Sequence, residues 1–178
     1  MVETLIKRNL KIHPQLNFPD YKSSILRAPN NKKISFSSTS TELSGPIFNK
    51  KIIGKLDNDL TLNFSKKNII PIGHKIIVYG TICDQFSNPI KGALIEIWQA
   101  NAAGKYLHHN DKTDAPIDSN FAGCGRYITS SKGYYEFITI QPGPYPYQNR
   151  GIEWRPMHIH FSVFGKSFGQ RLITQMYF

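Results

Sequence analysis

From Gly73 onwards, short runs rich in β-branched and aromatic residues alternate with turn-forming residues. The strand-like runs cover residues 75–83, 93–99, 126–129, 134–140, 157–164 and 172–178. Segments such as 84–89 and 130–133 separate them with Gly, Pro, Asn, Asp and Ser, which favour turns. Helical periodicity is almost absent. The pattern therefore predicts an all-β fold, most simply a β-sandwich.

The first 70 residues differ from the rest of the chain. Prolines interrupt polar sequence there, at Pro14, Pro19, Pro29 and Pro46. Apolar residues are too sparse in this part for a core of its own. We therefore predict an irregular N-terminal arm over 1–70, with a short helix near 23–27, packed on a β-sandwich over 71–178.

Composition and charge argue against several classes of protein. The formal net charge is +10, but the lysines are scattered, which indicates a solvated basic surface rather than a nucleic-acid site. Cys83 and Cys124 form no CxxC pair, so we expect reduced thiols in a cytoplasmic protein and no cysteine zinc site. No apolar run is long enough to predict a secretion signal or a membrane span.

Two histidines stand two residues apart in the strand-like run 154–161. Because side chains alternate along a strand, His158 and His160 point to the same face and make half of a metal site. Arg155 adds a fixed positive charge beside them. A His-x-His pair on a strand also occurs as a plain structural or surface pair, so the remaining ligands decide between the two interpretations.

The missing ligands are better sought among tyrosines than among cysteines or carboxylates. Tyr106 lies in a long polar loop, and Tyr145 and Tyr147 lie in or beside the segment 141–146, which we predict to be a rigid loop because three prolines exclude a central strand. A phenolate is a hard, anionic oxygen ligand. It suits a highly charged ion such as ferric iron better than zinc.

Three motifs together resemble the intradiol ring-cleavage dioxygenases, and among them the iron-bearing β subunits of the protocatechuate 3,4-dioxygenase group. The motifs are WQANAAGKY at 98–106, PGPYP at 142–146 and WRPMHIHF at 154–161. Segments 19–24 and 172–175 extend the resemblance towards both ends. Each motif alone is weak, whereas their combination and order are specific.

The resemblance implies a non-haem ferric site, Fe(III), with two tyrosine and two histidine ligands. On this chain the ligands fall on Tyr106, Tyr145, His158 and His160. Tyr145 matches the axial tyrosine, which is released when a catechol binds and then acts as a base. Arg155 matches an arginine that stabilises negative charge on the attacked ring carbon.

The resemblance also implies a substrate pocket and a partner. Tyr21 and Tyr147 match residues that frame the catechol, with Tyr147 standing where the β subunits usually have tryptophan, and Gln175 matches a polar residue near the dioxygen pocket. A related α subunit is expected to border the pocket in a hetero-oligomer. Family β subunits continue past the position of Phe178, so we expect the sandwich to lack its C-terminal strands.

The implied reaction is cleavage of protocatechuate by dioxygen to 3-carboxy-cis,cis-muconate. Catechol and hydroxyquinol are alternative substrates, since relatives process them. The segments 80–97 and 131–137 also resemble transthyretin-like sandwich modules, many of which have no catalysis. The tyrosine and histidine quartet distinguishes the enzyme from such a module, which has no reason to carry it.

Overall fold

The computed structural model describes residues 17–18, 28–31, 48, 50–66, 69–148, 152–165 and 170–178. Tyr21 and the helix predicted near 23–27 lie outside these residues. A short 3-10 helix covers Lys50–Ile52, and every other regular element in the described part of the chain is a strand. No helix within these ranges is both long and apolar enough to cross a membrane.

The described residues form eight strands arranged in three antiparallel sheets. The strands are β1 (Lys75–Thr81), β2 (Leu94–Trp98), β3 (Cys124–Ile128), β4 (Tyr134–Ile140), β5 (Tyr145–Gln148), β6 (Ile152–Arg155), β7 (His158–Phe164) and β8 (Arg171–Tyr177). β1 pairs with β4, β5 pairs with β6, and the remaining strands form a sheet in the order β3-β2-β7-β8. The all-β prediction is confirmed.

The core lies between the β1–β4 pair and the four-stranded sheet. Alternate residues of β4 face it, and Phe137 is fully buried. From the opposite sheet, Ile97 and Phe161 are cross-strand partners on β2 and β7. The Tyr135 and Phe161 rings meet edge to face, 5.9 Å apart. Burial of each such side chain contributes about 1.5–3 kcal/mol, so these contacts hold the two layers together.

A segment that precedes the first strand also enters the core. Leu60 is fully buried, and its backbone N–H donates to the carbonyl of Ile138 on β4 at 2.8 Å. The carbonyl of Asp57 accepts from the N–H of Arg126 on β3 at 2.9 Å. Residues 57–60 therefore contact strands of both layers of the sandwich.

The β5–β6 pair was not expected from the sequence, because the prolines of 141–146 favoured a loop. The loop ends earlier than predicted, and Tyr145 begins a strand in which it pairs with Arg155, while Pro146 pairs with Trp154. A two-stranded sheet consists only of edges, so a proline that cannot donate a hydrogen bond is tolerated there. Tyr145 thus has a strand backbone rather than a loop backbone.

Two loops that carry predicted ligands meet through close backbone contact. Gly143 N–H donates to the carbonyl of Asn101 at 2.9 Å. Gly104 adopts φ +80°, and a Cβ placed on it would lie 2.1 Å from the carbonyl oxygen of Pro144. Glycine is required here both for its backbone conformation and for the close approach. The contact brings the loop of Tyr106 against the start of β5.

Replacing Gly104 with alanine tests this contact. We expect Gly104→Ala to destabilise the chain by at least about 2 kcal/mol, because a left-handed alanine costs about 1 kcal/mol and the methyl group also clashes with backbone. Gly92→Ala is the matched control, since Gly92 has φ +76° but nothing within 4 Å of its Cβ position. Urea unfolding of both variants gives the comparison. Equal losses would show that the loop contact is unimportant.

Candidate metal centre

The register of three strands places the predicted histidines on the outer face of the four-stranded sheet. His160 on β7 lies opposite Trp98 on β2 and opposite Gln175 on β8. His158 lies opposite Tyr177. Directly opposed residues of antiparallel strands point to the same side, so these side chains share one surface. Ile159, which lies between the two histidines on β7, points into the core.

Both predicted tyrosine ligands reach this surface from outside the sheet. The hydroxyl of Tyr145 on β5 lies 3.3 Å from Nε2 of His158. The ring of Tyr106, from the loop after β2, packs edge to face on Tyr145 at 5.3 Å and lies 6.4 Å from the His160 ring. The structure therefore brings all four predicted ligands together from three separate stretches of the chain.

The imidazoles are oriented as metal ligands would be. Nδ1 of His158 lies 2.7 Å from the carbonyl of Pro156 and must donate to it, which leaves Nε2 without a proton in the neutral ring. That bare Nε2 lies 3.2 Å from Nε2 of His160. Two nitrogen ligands about 2.1 Å from one ion lie roughly 3.0–3.4 Å apart, so the spacing fits a shared ion.

The tyrosines complete a donor set that suits a hard cation. The Tyr106 hydroxyl is buried and has no hydrogen-bond partner among the described residues, so its oxygen is available as a ligand. No group of three or more His, Cys, Asp or Glu side chains in the described ranges could hold a metal. Phenolic oxygens are therefore needed to extend the histidine pair, and the residues present fit ferric iron.

Burial sets the protonation of the candidate ligands. It is the largest cause of the lowered pKa of His160, which falls to about 4 with help from the charges of His158 and Arg155. Burial also lowers the pKa of His158. Both rings are therefore neutral near pH 7 and keep lone pairs. Burial raises the pKa of the Tyr106 phenol, and Tyr145 raises it further, so Tyr106 needs a cation to ionise.

Arg155 lies at the edge of this group on β6. Its guanidinium packs 4.4 Å from the centre of the Tyr147 ring, which gives a cation–π contact. Its positive charge lowers the pKa of Tyr106 as well as those of the two histidines. The structure therefore places Arg155 and Tyr147 together beside the candidate ligands.

Gln175 also lies beside the histidines. Its amide Nε2 is 3.3 Å from Nδ1 of His160, and its Oε1 accepts a hydrogen bond from the Tyr177 hydroxyl. The Tyr177 ring lies 5.6 Å from the His158 ring. Sequence reasoning missed Tyr177, although Gln175 and Tyr177 have the same two-residue spacing as the histidines. The two-residue spacing of Gln175 and Tyr177 could have predicted that both side chains lie on the same face of the strand that follows β7.

Trp98 on β2 is half-buried and lies beside the histidines on the outer face of the sheet. Its ring stacks on the His160 ring at 4.8 Å with an interplanar angle of 3°. Ile97 faces the core, and period-two alternation therefore turns Trp98 to the outer face. The stacking restricts rotation of the His160 ring.

Comparison with known proteins agrees with this geometry. A family model described as "Dioxygenase" matches residues 43–178, and one described as "Protocatechuate 3,4-dioxygenase beta subunit N terminal" matches residues 6–39. The protocatechuate 3,4-dioxygenase beta chain of Burkholderia cepacia is 46% identical over 174 residues, which are 98% of this chain and 74% of that one.

More distant relatives share parts of the chain. The catechol 1,2-dioxygenase of Candida albicans is 34% identical over 119 residues, which are 61% of this chain and 38% of that one. The 3-chlorocatechol 1,2-dioxygenase structure from Rhodococcus opacus 1CP has a TM-score of 0.54 at 24% identity, over 79% of this chain and 56% of that one. The latter shows a shared fold. By family match and identity, the chain belongs to the intradiol dioxygenase family of oxidoreductases.

Proposed function

We propose that this chain is the iron-binding subunit of a dioxygenase that opens a catechol ring between its two hydroxyl-bearing carbons. The observation that carries the proposal is the convergence of Tyr106, Tyr145, His158 and His160 on one face of the sheet. Two phenols and two neutral imidazoles form a donor set that suits a non-haem ferric ion. Among the described residues, no group of three or more His, Cys, Asp or Glu side chains could hold a metal instead.

A ferric ion bound here would supply the electron demand that makes a catechol reactive towards dioxygen. His158 and His160 would hold it through neutral nitrogens, and Tyr106 and Tyr145 through phenolate oxygens that would offset its charge. Tyr145 is the proposed base, because its hydroxyl lies in the site next to His158 Nε2. As a phenolate it would accept one phenolic proton from an incoming catechol.

Arg155 is the proposed stabiliser of negative charge that develops on the ring carbon attacked by dioxygen. The carbon–carbon bond between the two oxygenated positions then breaks. Both atoms of dioxygen end in the product, a muconate with two new carboxylates. With protocatechuate as substrate the product is 3-carboxy-cis,cis-muconate.

Protocatechuate is the proposed substrate for two reasons. The 46% identical relative is named as a protocatechuate 3,4-dioxygenase beta chain. The net charge of +10 also favours an anionic substrate over neutral catechol or hydroxyquinol. Tyr147, Gln175 and Tyr21 are proposed to line the substrate pocket, and Tyr21 lies outside the described residues. The name "beta chain" further supports a related α subunit as partner, in a cytoplasmic hetero-oligomer.

Substrate choice is tested by turnover. We expect the iron-loaded chain together with an α subunit to cleave protocatechuate with a kcat/KM at least tenfold above those for catechol and hydroxyquinol. Oxygen uptake and product absorbance measure the reaction, with each subunit assayed alone as a control. A preference for neutral catechols would contradict the proposed substrate, and no cleavage of any of the three would contradict the activity.

The ligand assignment is tested by colour. Ferric iron bound to tyrosinate absorbs visible light, so the metal-free chain should become coloured on addition of ferric iron. Tyr106→Phe and Tyr145→Phe should each change or remove the band, because each loses one phenolate. Tyr135→Phe is the control, since Tyr135 is buried in the core. A colourless wild-type complex, or a band unaffected by both ligand substitutions, would refute the assignment.

Replacement of Arg155 separates chemistry from metal binding. We expect Arg155→Gln to lower kcat for ring cleavage by about 100-fold, because a charge that stabilises the transition state is lost. The tyrosinate band should persist, since Arg155 is not a proposed ligand. Glu153→Gln on the same strand is the control and should retain full activity. An unchanged kcat in Arg155→Gln would remove Arg155 from the mechanism.

The pH dependence of the metal-free chain tests the electrostatics of the site. Folding lowers the His160 pKa from about 6.5 to about 4, so between these values the unfolded chain binds more protons. Stability should therefore be complete above about pH 6.5 and fall by about 1–2 kcal/mol as the pH drops to about 4. His160→Gln should flatten this slope in urea unfolding, whereas His108→Gln at an exposed position should not. Identical slopes would show that His160 titrates normally.

A further inference from the structure

The loop that carries Tyr106 is closed by an ion pair buried beside the ligand. Lys105 is only 8% exposed, and its Nζ lies 3.2 Å from Oδ1 of Asp111, whose side chain is 11% exposed. Nζ also donates to the backbone carbonyls of Asp111, at 3.1 Å, and Thr113. A lysine buried to this degree is costly unless it is paired, and here its donors have partners.

Asp111 connects this ion pair to the backbone of the ligand. Its Oδ2 accepts a hydrogen bond from the Tyr106 N–H at 2.8 Å. Its Oδ1 accepts from the N–H of Thr113 at 3.0 Å and from the Thr113 hydroxyl at 2.7 Å. Both carboxylate oxygens are therefore used, one on the ligand and the other on the far side of the loop.

The turn that precedes Tyr106 is fixed by hydrogen bonds to the side chain of Asn101. Oδ1 of Asn101 accepts from the N–H groups of Ala103 and Lys105, each at 2.9 Å, and its Nδ2 donates to the carbonyl of Pro116. The backbone is therefore fixed immediately before Tyr106 by Asn101 and at Tyr106 by Asp111. The Tyr106 ring in turn packs edge to face on the Tyr145 ring.

We propose that Asp111 is a positioning residue for Tyr106: its carboxylate, paired with buried Lys105, holds the ligand's backbone so that the phenol faces the histidines before metal binds. The inference rests on the proposed function, since it takes Tyr106 as a ligand. A buried ion pair adds little net stability compared with an apolar pair of similar size. Its geometry nevertheless constrains the loop, because one oxygen of Asp111 accepts from the Tyr106 N–H while the other accepts from Thr113.

Asp111→Asn tests the proposal first without metal. An amide has one acceptor oxygen and cannot accept from Tyr106 and Thr113 while also pairing with Lys105. We expect the Tyr106 amide to exchange with solvent at least tenfold faster in the metal-free variant, as followed by hydrogen exchange resolved to single residues. Asp118→Asn is the matched control. Asp118 lies in the same long loop and accepts from the N–H groups of Ile72 and Asn120, but does not touch Tyr106.

The second readout is metal affinity. We expect Asp111→Asn to weaken ferric binding by about 10- to 100-fold and to change the tyrosinate band, as loss of a residue supporting a ligand does elsewhere. Asp118→Asn should leave both unchanged, even if it lowers the urea midpoint. Thr113→Val is a milder variant, which removes one hydrogen bond to Asp111 without changing charge and should weaken binding less, in the same direction.

The outcomes separate this inference from the proposed function. A wild-type chain that binds no ferric ion overturns both. A coloured wild-type complex with unchanged Tyr106 exchange and unchanged affinity in Asp111→Asn overturns the positioning role alone. If Asp111→Asn does not fold, the result from Thr113→Val decides, and affinity equal to wild type in that variant overturns the role. The positioning role is supported if Asp111→Asn shows both faster exchange of the Tyr106 amide and weaker ferric binding, while Asp118→Asn shows neither change.

Discussion

The candidate site depends on the hydrogen-bond register that β7 keeps with β2 on one side and β8 on the other. In this register Ile159 and Phe161 enter the core while His158 and His160 face outwards. A shift of one residue in the pairing would reverse both sets, placing two imidazoles among apolar side chains. The apolar contacts that stabilise the sandwich therefore also determine where the imidazole nitrogens lie.

Burial then determines what those nitrogens can do. In this partly buried site Nε2 of His158 lies within hydrogen-bond distance of both Nε2 of His160 and the Tyr145 hydroxyl. The same burial keeps both rings neutral and holds the Tyr106 phenol protonated until a cation is present. The candidate donor atoms therefore already lie close together in the metal-free chain.

The alternation of apolar and polar residues predicted strands well where one face of the strand is buried and the other is not. β4 has the predicted bounds, Tyr134–Ile140, because turn residues precede it and alternating burial defines it. The β5–β6 pair was missed because Pro146 argues against a strand, and only the pairing with β6 shows that this strand is an edge. The orientation of Trp98 likewise depends on strand pairing. Its side chain faces outwards because of register, whereas its residue type favours the core.

Residue types and their spacing predict the all-β class and the common face of His158 and His160, and the family resemblance implies Tyr106 and Tyr145 as further ligands. These depend on residue type and on the two-residue period of a strand, which are local properties. The stacking of Trp98 on His160 and the hydrogen bond from the Tyr106 N–H to Asp111 are visible only in the folded chain. Such contacts arise from strand register and loop closure, which depend on pairing between segments far apart in the chain and leave no periodic pattern within any one segment.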